Sequence, residues 1–174
     1  MPYISAIVEL MNQDSTQDPT NDFDFLAGSW NIHHRRLKQR HVGSSEWDEF
    51  SGISQVRLLL GGVMNVDENI FPSLGWSGAT VRIFNRQTQQ WSIYWVNSAE
   101  GRLQAPVAGR FEDNVGEFFG DDTDQGLPIK VRYRWRRQGT DQAHWDQAFS
   151  WDGGETWETN WTMAFNRAAW PGRP

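Results

Sequence analysis

The 174-residue chain reads as all-β, an antiparallel up-and-down barrel of about ten strands with a short N-terminal helix or tail. Three observations predict this. From Trp30 to Arg167 apolar residues recur at period two, interrupted by Gly, Asn, Asp or Pro roughly every 8–15 residues. Eleven Trp and ten Phe dominate the aromatic content, and such side chains suit a pleated, half-buried surface. Beyond the N-terminal stretch, no segment spaces its apolar residues at i, i+3, i+4 and i+7.

Residues 1–20 stand apart as a tail. Ile4 to Met11 has the pattern of two amphipathic turns, and Asn12 to Asn21 is a polar, proline-containing linker. The barrel proper spans 21–167, with 168–174 as a C-terminal tail. A one-turn lead-in, Asp22–Leu26, precedes Gly28-Ser29-Trp30, which opens a first strand over Ser29–Arg40. Glu46–Leu60 is the second strand, with Gly52 expected at a bend or bulge. Gly61-Gly62 breaks it, Val63–Ile70 is the third, and Phe71–Gly78 is a loop. Ala79–Asn85 and Trp91–Asn97 form a hairpin around Arg86–Gln90. Gln104–Glu112, Val115–Gly120 and Ile129–Arg137 follow, turning at Asp113-Asn114 and Asp121–Pro128. Ala143–Trp151 and Thr156–Arg167 flank Asp152-Gly153-Gly154-Glu155, whose glycines supply the positive φ of a tight turn. A meander that closes on itself leaves no edge strand exposed.

Charge and composition exclude several function classes. The net charge of −6 disfavours nucleic-acid phosphates and anionic membranes as partners. Without Cys there are no disulfides or thiolate metal sites. No apolar run reaches the roughly 18 residues a membrane helix needs. The N-terminus lacks a basic n-region and a small-residue cleavage site, so a cytoplasmic location is expected.

Four constellations bear on chemistry. Ser150-Trp151-Asp152-Gly153-Gly154-Glu155-Thr156-Trp157 matches the Asp-box, S-x-D-x-G-x-T-W, and is read as a hairpin brace. Lys130, Arg132, Arg134 and Arg136 alternate with Ile129, Val131, Tyr133 and Trp135, which puts the cations in water beside acids such as Glu117 or Asp121. His33 and His34 point to opposite faces, and no His or carboxylate spacing marks a metal site. Finally, polar residues share the inward parity. His34 and Arg36 follow Trp30 and Ile32, Asn65 pairs with Asp67, and Arg82 lies within Thr80–Phe84. Asn97 follows Trp91 and Trp95, Gln147 follows Trp145, and Asn160 shares its face with Glu158 and Thr162, opposite Trp161. Buried polar groups cost several kcal/mol unless paired, so these form either an internal network or a wet pocket.

The Gly28-x-Trp30 opening resembles the first strand of lipocalin-like (calycin) barrels. That resemblance implies that Trp30 plugs one end, with a basic residue of the last strand, Arg167, lying across it. Taken with the VRIFN-turn-WSIYWVN hairpin, PVAGRF and QAFSWDGGETWETNW, the chain resembles the DUF1579-type family of uncharacterised bacterial proteins, a calycin-like group, over most of 22–167. This implies the fold and assigns no catalytic residue. Nitrobindin-like barrels of this size class hold haem through one His, which would make His144 or His34 the ligand here. The main expectation is no cofactor and no metal.

The functional expectation is a barrel holding a small, partly apolar or aromatic molecule. Trp91, Trp95 and Trp145 would supply the wall, and Arg36, Asn65, Arg82, Asn97, Gln147 and Asn160 the polar contacts. The alternative is an enzyme of proton-transfer type (cyclase, isomerase or decarboxylase), with His34 as acid or base, Arg82 as oxyanion stabiliser and Asp67 a further candidate. A third expectation is an aromatic-packed barrel whose exterior pairs with itself, as a homodimer, or with another protein.

Overall fold

The computed structural model describes residues 18–169; the amphipathic turns expected at Ile4–Met11 lie outside them. Ten antiparallel strands close into a single barrel in which each strand pairs with its sequence neighbours and the last pairs with the first. The strands are β1 (Gly28–Leu37), β2 (Trp47–Leu59), β3 (Met64–Phe71), β4 (Trp76–Asn85) and β5 (Gln90–Asn97). They continue as β6 (Val107–Glu112), β7 (Val115–Asp124), β8 (Leu127–Gln138), β9 (Gln142–Ser150) and β10 (Glu158–Arg167). This is the lipocalin-like up-and-down meander with every strand edge paired. No helix among the described residues is long and apolar enough to cross a membrane.

β1 ends at Leu37 rather than Arg40 and β6 begins at Val107 rather than Gln104, and three further departures from expectation are informative. The segment Trp76–Gly78, read as loop, belongs to β4 and pairs with β3 from Trp76↔Phe71 onward. β7 and β8 run on past Gly120 and Ile129 to a tight Gln125-Gly126 turn, both residues at positive φ. Polar residues on an exposed ribbon gave that extension no hydrophobic alternation to read. Gly52 lies in unbroken register opposite Ile32, so it forms no bulge. Its missing side chain has a packing cause: a Cβ there would lie 2.6 Å from Nε2 of His34.

One end of the barrel is plugged. Two 3-10 turns, Pro19–Asn21 and Asp24–Leu26, lie across it. Asp18 caps the first by accepting from the Thr20 amide. Phe23 is fully buried and meets Trp91 and Phe111 edge to face, each at 5.0 Å. The Trp30 indole donates to the Leu26 carbonyl at 2.7 Å. The Arg167 guanidinium lies 4.2 Å from the Trp30 ring and donates to the Phe25, Ala27 and Thr140 carbonyls, which is the expected clasp.

The outer wall follows the charge alternation of β8. Lys130 pairs with Asp121, Arg134 with Glu117, and Arg134 and Arg136 with the buried Asp146. The Asp-box is a brace. Ser150 donates to Asp152 and accepts from the Gly154 amide, Asp152 accepts from Thr156, and the Trp157 indole donates to Gly154. Those hydrogen bonds, Ser150 first, hold the Asp152 carboxyl well below the usual carboxylate range.

Candidate functional site

Opposite the plug the barrel is open. A cavity of about 410 Å3 runs inward from the mouth, lined by residues of eight of the ten strands and of the β1–β2 and β5–β6 connections. Its walls are aromatic. Trp76, Trp95, Trp145, Trp161, Phe149 and Tyr133 face it from β4, β5, β8, β9 and β10, and Trp135 and Phe165 lie deeper. Gly78 makes room for one of them, since a Cβ there would sit 2.0 Å from the Trp95 ring. Tyr133 is a lining residue that parity alone placed inside without a role. Burial, then Asp122, raises its pKa, so its hydroxyl stays protonated.

At the floor is a buried ion pair. Arg82, 3% exposed, meets Asp67 with Nη2–Oδ2 at 2.7 Å and donates from Nη1 to Asn65 Oδ1 at 2.9 Å. Phe23 and Trp135 lie beneath and beside its guanidinium at 5.3 and 5.4 Å. Asp67 accepts further bonds from the Asn69 amide group and the Thr80 backbone. The pair is thus held from four directions, and only Arg82 of the two acidic and basic partners reaches the cavity. Asn69 and Thr80, which also line it, were not anticipated. Their signal was available, since each shares the parity of Asp67 or Arg82 on its strand.

Six expected residues therefore converge on the cavity with Arg82: Arg36, Trp95, Asn97, Trp145, Gln147 and Asn160. Asn160 arrives by a route that alternation could not show. The β9–β10 register shifts between Thr159 and Trp161, so Asn160 is the bulged residue, and both it and Trp161 face inward. The separate faces assigned to them are corrected accordingly. Gln147 Nε2 donates to Asn160 Oδ1 at 2.7 Å.

Four expected residues do not line it: Asp67, described above, and Trp91, Asn65 and His34. Trp91 is packed at the plug, where its indole donates to the Pro19 carbonyl; inward parity placed it correctly, but at the wrong depth. Asn65 stands behind Arg82 as its acceptor. His34 is sealed into the wall, 0% exposed, stacked on Phe50 at 4.8 Å with Phe71 edge-on at 5.1 Å. Its Nδ1 accepts from the Trp161 indole at 3.2 Å, and burial pulls its pKa down to about 4. His34, enclosed among Phe50, Phe71 and Trp161, and Asp67, paired with Arg82, both stand outside the cavity lining. His144 stands on the outer face beside Arg136, so neither histidine named for haem lines the cavity. Among the described residues no group of three His, Cys, Asp or Glu could hold a metal ion.

The mouth is partly bridged. The connection between β1 and β2 folds over it, held where Arg40 meets Asp124 of β7 with Nη2–Oδ1 at 2.6 Å and Nε–Oδ2 at 3.0 Å. The His41 amide donates to Glu158, and the His41 ring stacks on Trp151 at 4.3 Å.

Fold and cavity define a closed, ten-stranded up-and-down barrel with an open aromatic interior. No family model matches the chain, and the DUF1579-type resemblance gains no support from that quarter. No curated protein matches it either. Among solved structures, EF1p2_mFAP2b bound to DFHBI aligns at 11% identity over 86% of this chain and 99% of that one, with a TM-score of 0.39.

Proposed function

We propose that this chain is a binding protein that holds one small, planar, partly apolar or aromatic molecule inside its barrel. One observation carries the reading: a chain with ample Trp and Phe to fill its interior leaves about 410 Å3 of it open. That volume falls within the range of roughly 300–1,000 Å3 typical of small-molecule sites. The lining also has their composition, with aromatic walls and a few oriented polar groups on rigid strands. The buried Arg82–Asp67 pair at the floor supports it further. Burying an ion pair in a barrel's interior stabilises little by itself, which is consistent with a role in polarity rather than stability. The reading requires no resident cofactor.

Titration of the purified protein with a panel of aromatic metabolites, followed by tryptophan fluorescence, tests it. Saturable quenching with one-to-one stoichiometry in native mass spectrometry is expected. Met163 faces the cavity, so Met163→Trp should fill it and remove binding while the fold persists by circular dichroism. A panel that leaves fluorescence and mass unchanged, or binding undiminished in Met163→Trp, would overturn the reading.

A further inference from the structure

Resting on that reading, we infer that the ligand is an aromatic carboxylate, held with its ring between the tryptophans and its carboxylate on the β1–β10 side of the mouth. The inference starts from an inventory of unmet hydrogen bonds. Among cavity-lining residues the buried polar atoms without a partner are Asn160 Nδ2 and Arg82 Nε. Both are N–H donors. Asn160 is 2% exposed, and its own oxygen is already taken by Gln147, so what it turns to the interior is a donor that water in bulk does not reach. A buried donor left unmet costs about 1–3 kcal/mol, and a site built from such donors favours a ligand rich in acceptor oxygens.

Arg36 supplies the charge. The structure gives it no hydrogen bond or ion pair among the described residues, unlike Arg40 and Arg82, which are matched by Asp124 and Asp67. Its guanidinium lies 5.2 Å from the centre of the Trp161 ring, and Trp161 is its register partner across the β1–β10 seam. Asn160 is the residue just before Trp161. An unmatched cation and an unmet amide donor therefore flank one indole of the cavity wall, and a carboxylate can take a charge-assisted bond from the first and a second bond from the other. Burial and the neighbouring Arg40 lower the Arg36 pKa, while Asp48 across the strand pair opposes them; an incoming carboxylate would relieve the first two. Of the three acids that line the cavity, Asp124 is matched by Arg40; Asp122 and Glu100, on β7 and in the β5–β6 connection, lie away from this seam and, like Arg36, are exposed. They repel a carboxylate from their side and leave the Arg36 side as its place.

Three probes that share one ring system separate the alternatives: 2-naphthoate, 2-naphthamide and 2-naphthylmethylamine, each titrated into the full chain by calorimetry. The carboxylate should bind about tenfold tighter than the amide or the amine, the scale of one charge-assisted hydrogen bond. Arg36→Met should erase that preference while leaving the amide's affinity within about threefold. Asn160→Ala should reduce it, and Arg110→Ala, on the outer wall, should leave all three affinities alone. Equal affinities in the wild type would overturn the carboxylate assignment and leave the binding barrel standing. So would a preference that survives both Arg36→Met and Asn160→Ala. Binding by none of the three in the wild type would overturn the proposed function and this inference together.

Discussion

His34 joins a sequence position to a measurable pH response. Its folded pKa, about 4, lies below the 6.5 of an exposed histidine because burial penalises the imidazolium. The unfolded chain therefore takes up the proton first as pH falls. His34 costs nothing above about pH 7, and stability is lost progressively between 6.5 and 4. Between pH 7.5 and 5 the loss from this residue is about 2 kcal/mol. His144, also lowered by burial and by Arg136, adds to the loss with the same sign. Urea denaturation at both pH values should show a pH dependence that His34→Leu diminishes by about that amount; an unchanged dependence would mean that the ring titrates normally. Arg82 sets a second expectation. Arg82→Met strands Asp67 without its cation and should destabilise by about 3–5 kcal/mol, whereas adding Asp67→Asn to it should recover part of the loss. Equal stabilities of the single and double variants would show that the pair is not coupled.

At the scale of elements, the β1–β2 connection and the bulge on β10 decide what the mouth looks like. The connection is tied to the far rim by the bidentate Arg40–Asp124 pair, and hydrogen bonding to Asp124 raises the Arg40 pKa. Asp124→Asn keeps the side-chain shape but removes the charge. Hydrogen exchange across residues 39–45 should then quicken severalfold with global stability within about 1 kcal/mol, the usual worth of a partly exposed pair. Unchanged exchange would show that His41 and its contacts with Glu158 and Trp151 hold the connection alone. Neither feature was legible beforehand. Period two marks which residues alternate, so it gives the inward faces of β5 and β8 down to Asn97, Trp135 and Tyr133. It carries no signal for a residue inserted into one strand, nor for a pairing between residues 84 positions apart. Gly52 illustrates the same limit, because a glycine in a strand signals either a bulge or a close neighbour, and only the position of His34 settles which.

For the whole molecule, closure is the controlling fact, and it was largely readable. The strand count and the antiparallel meander follow from alternation and turn residues, while the plug and the Arg167–Trp30 contact follow from the resemblance of the Gly-x-Trp opening to calycin barrels. What could not be read is depth. Trp91 and Trp95 have identical parity, yet one is packed into the plug and the other faces the cavity, because their distance along the barrel axis depends on the tilt of every strand. Arg167 ties the final strand to the turn that precedes the first, so its loss is felt at the seam. Arg167→Ala should lower stability by about 1–2 kcal/mol, and Arg167→Lys, which retains charge but not the fork of donors, should recover less than half. Full rescue by lysine would reduce the clasp to simple charge.

The extra residue in β10 has a consequence for how such a protein changes over generations. An ordinary substitution at an inward position trades one side chain for another and must still fill the wall. Here an insertion places Asn160 beside Trp161 on the same face, while Trp161, Met163 and Phe165 keep the alternation that seats the strand against β1. Position 160 is thereby released from the packing pattern of its strand. Its chemistry can drift among small neutral polar side chains with the seam and the plug undisturbed. Under the binding role proposed above, ligand preference and foldability become separately heritable properties of one strand.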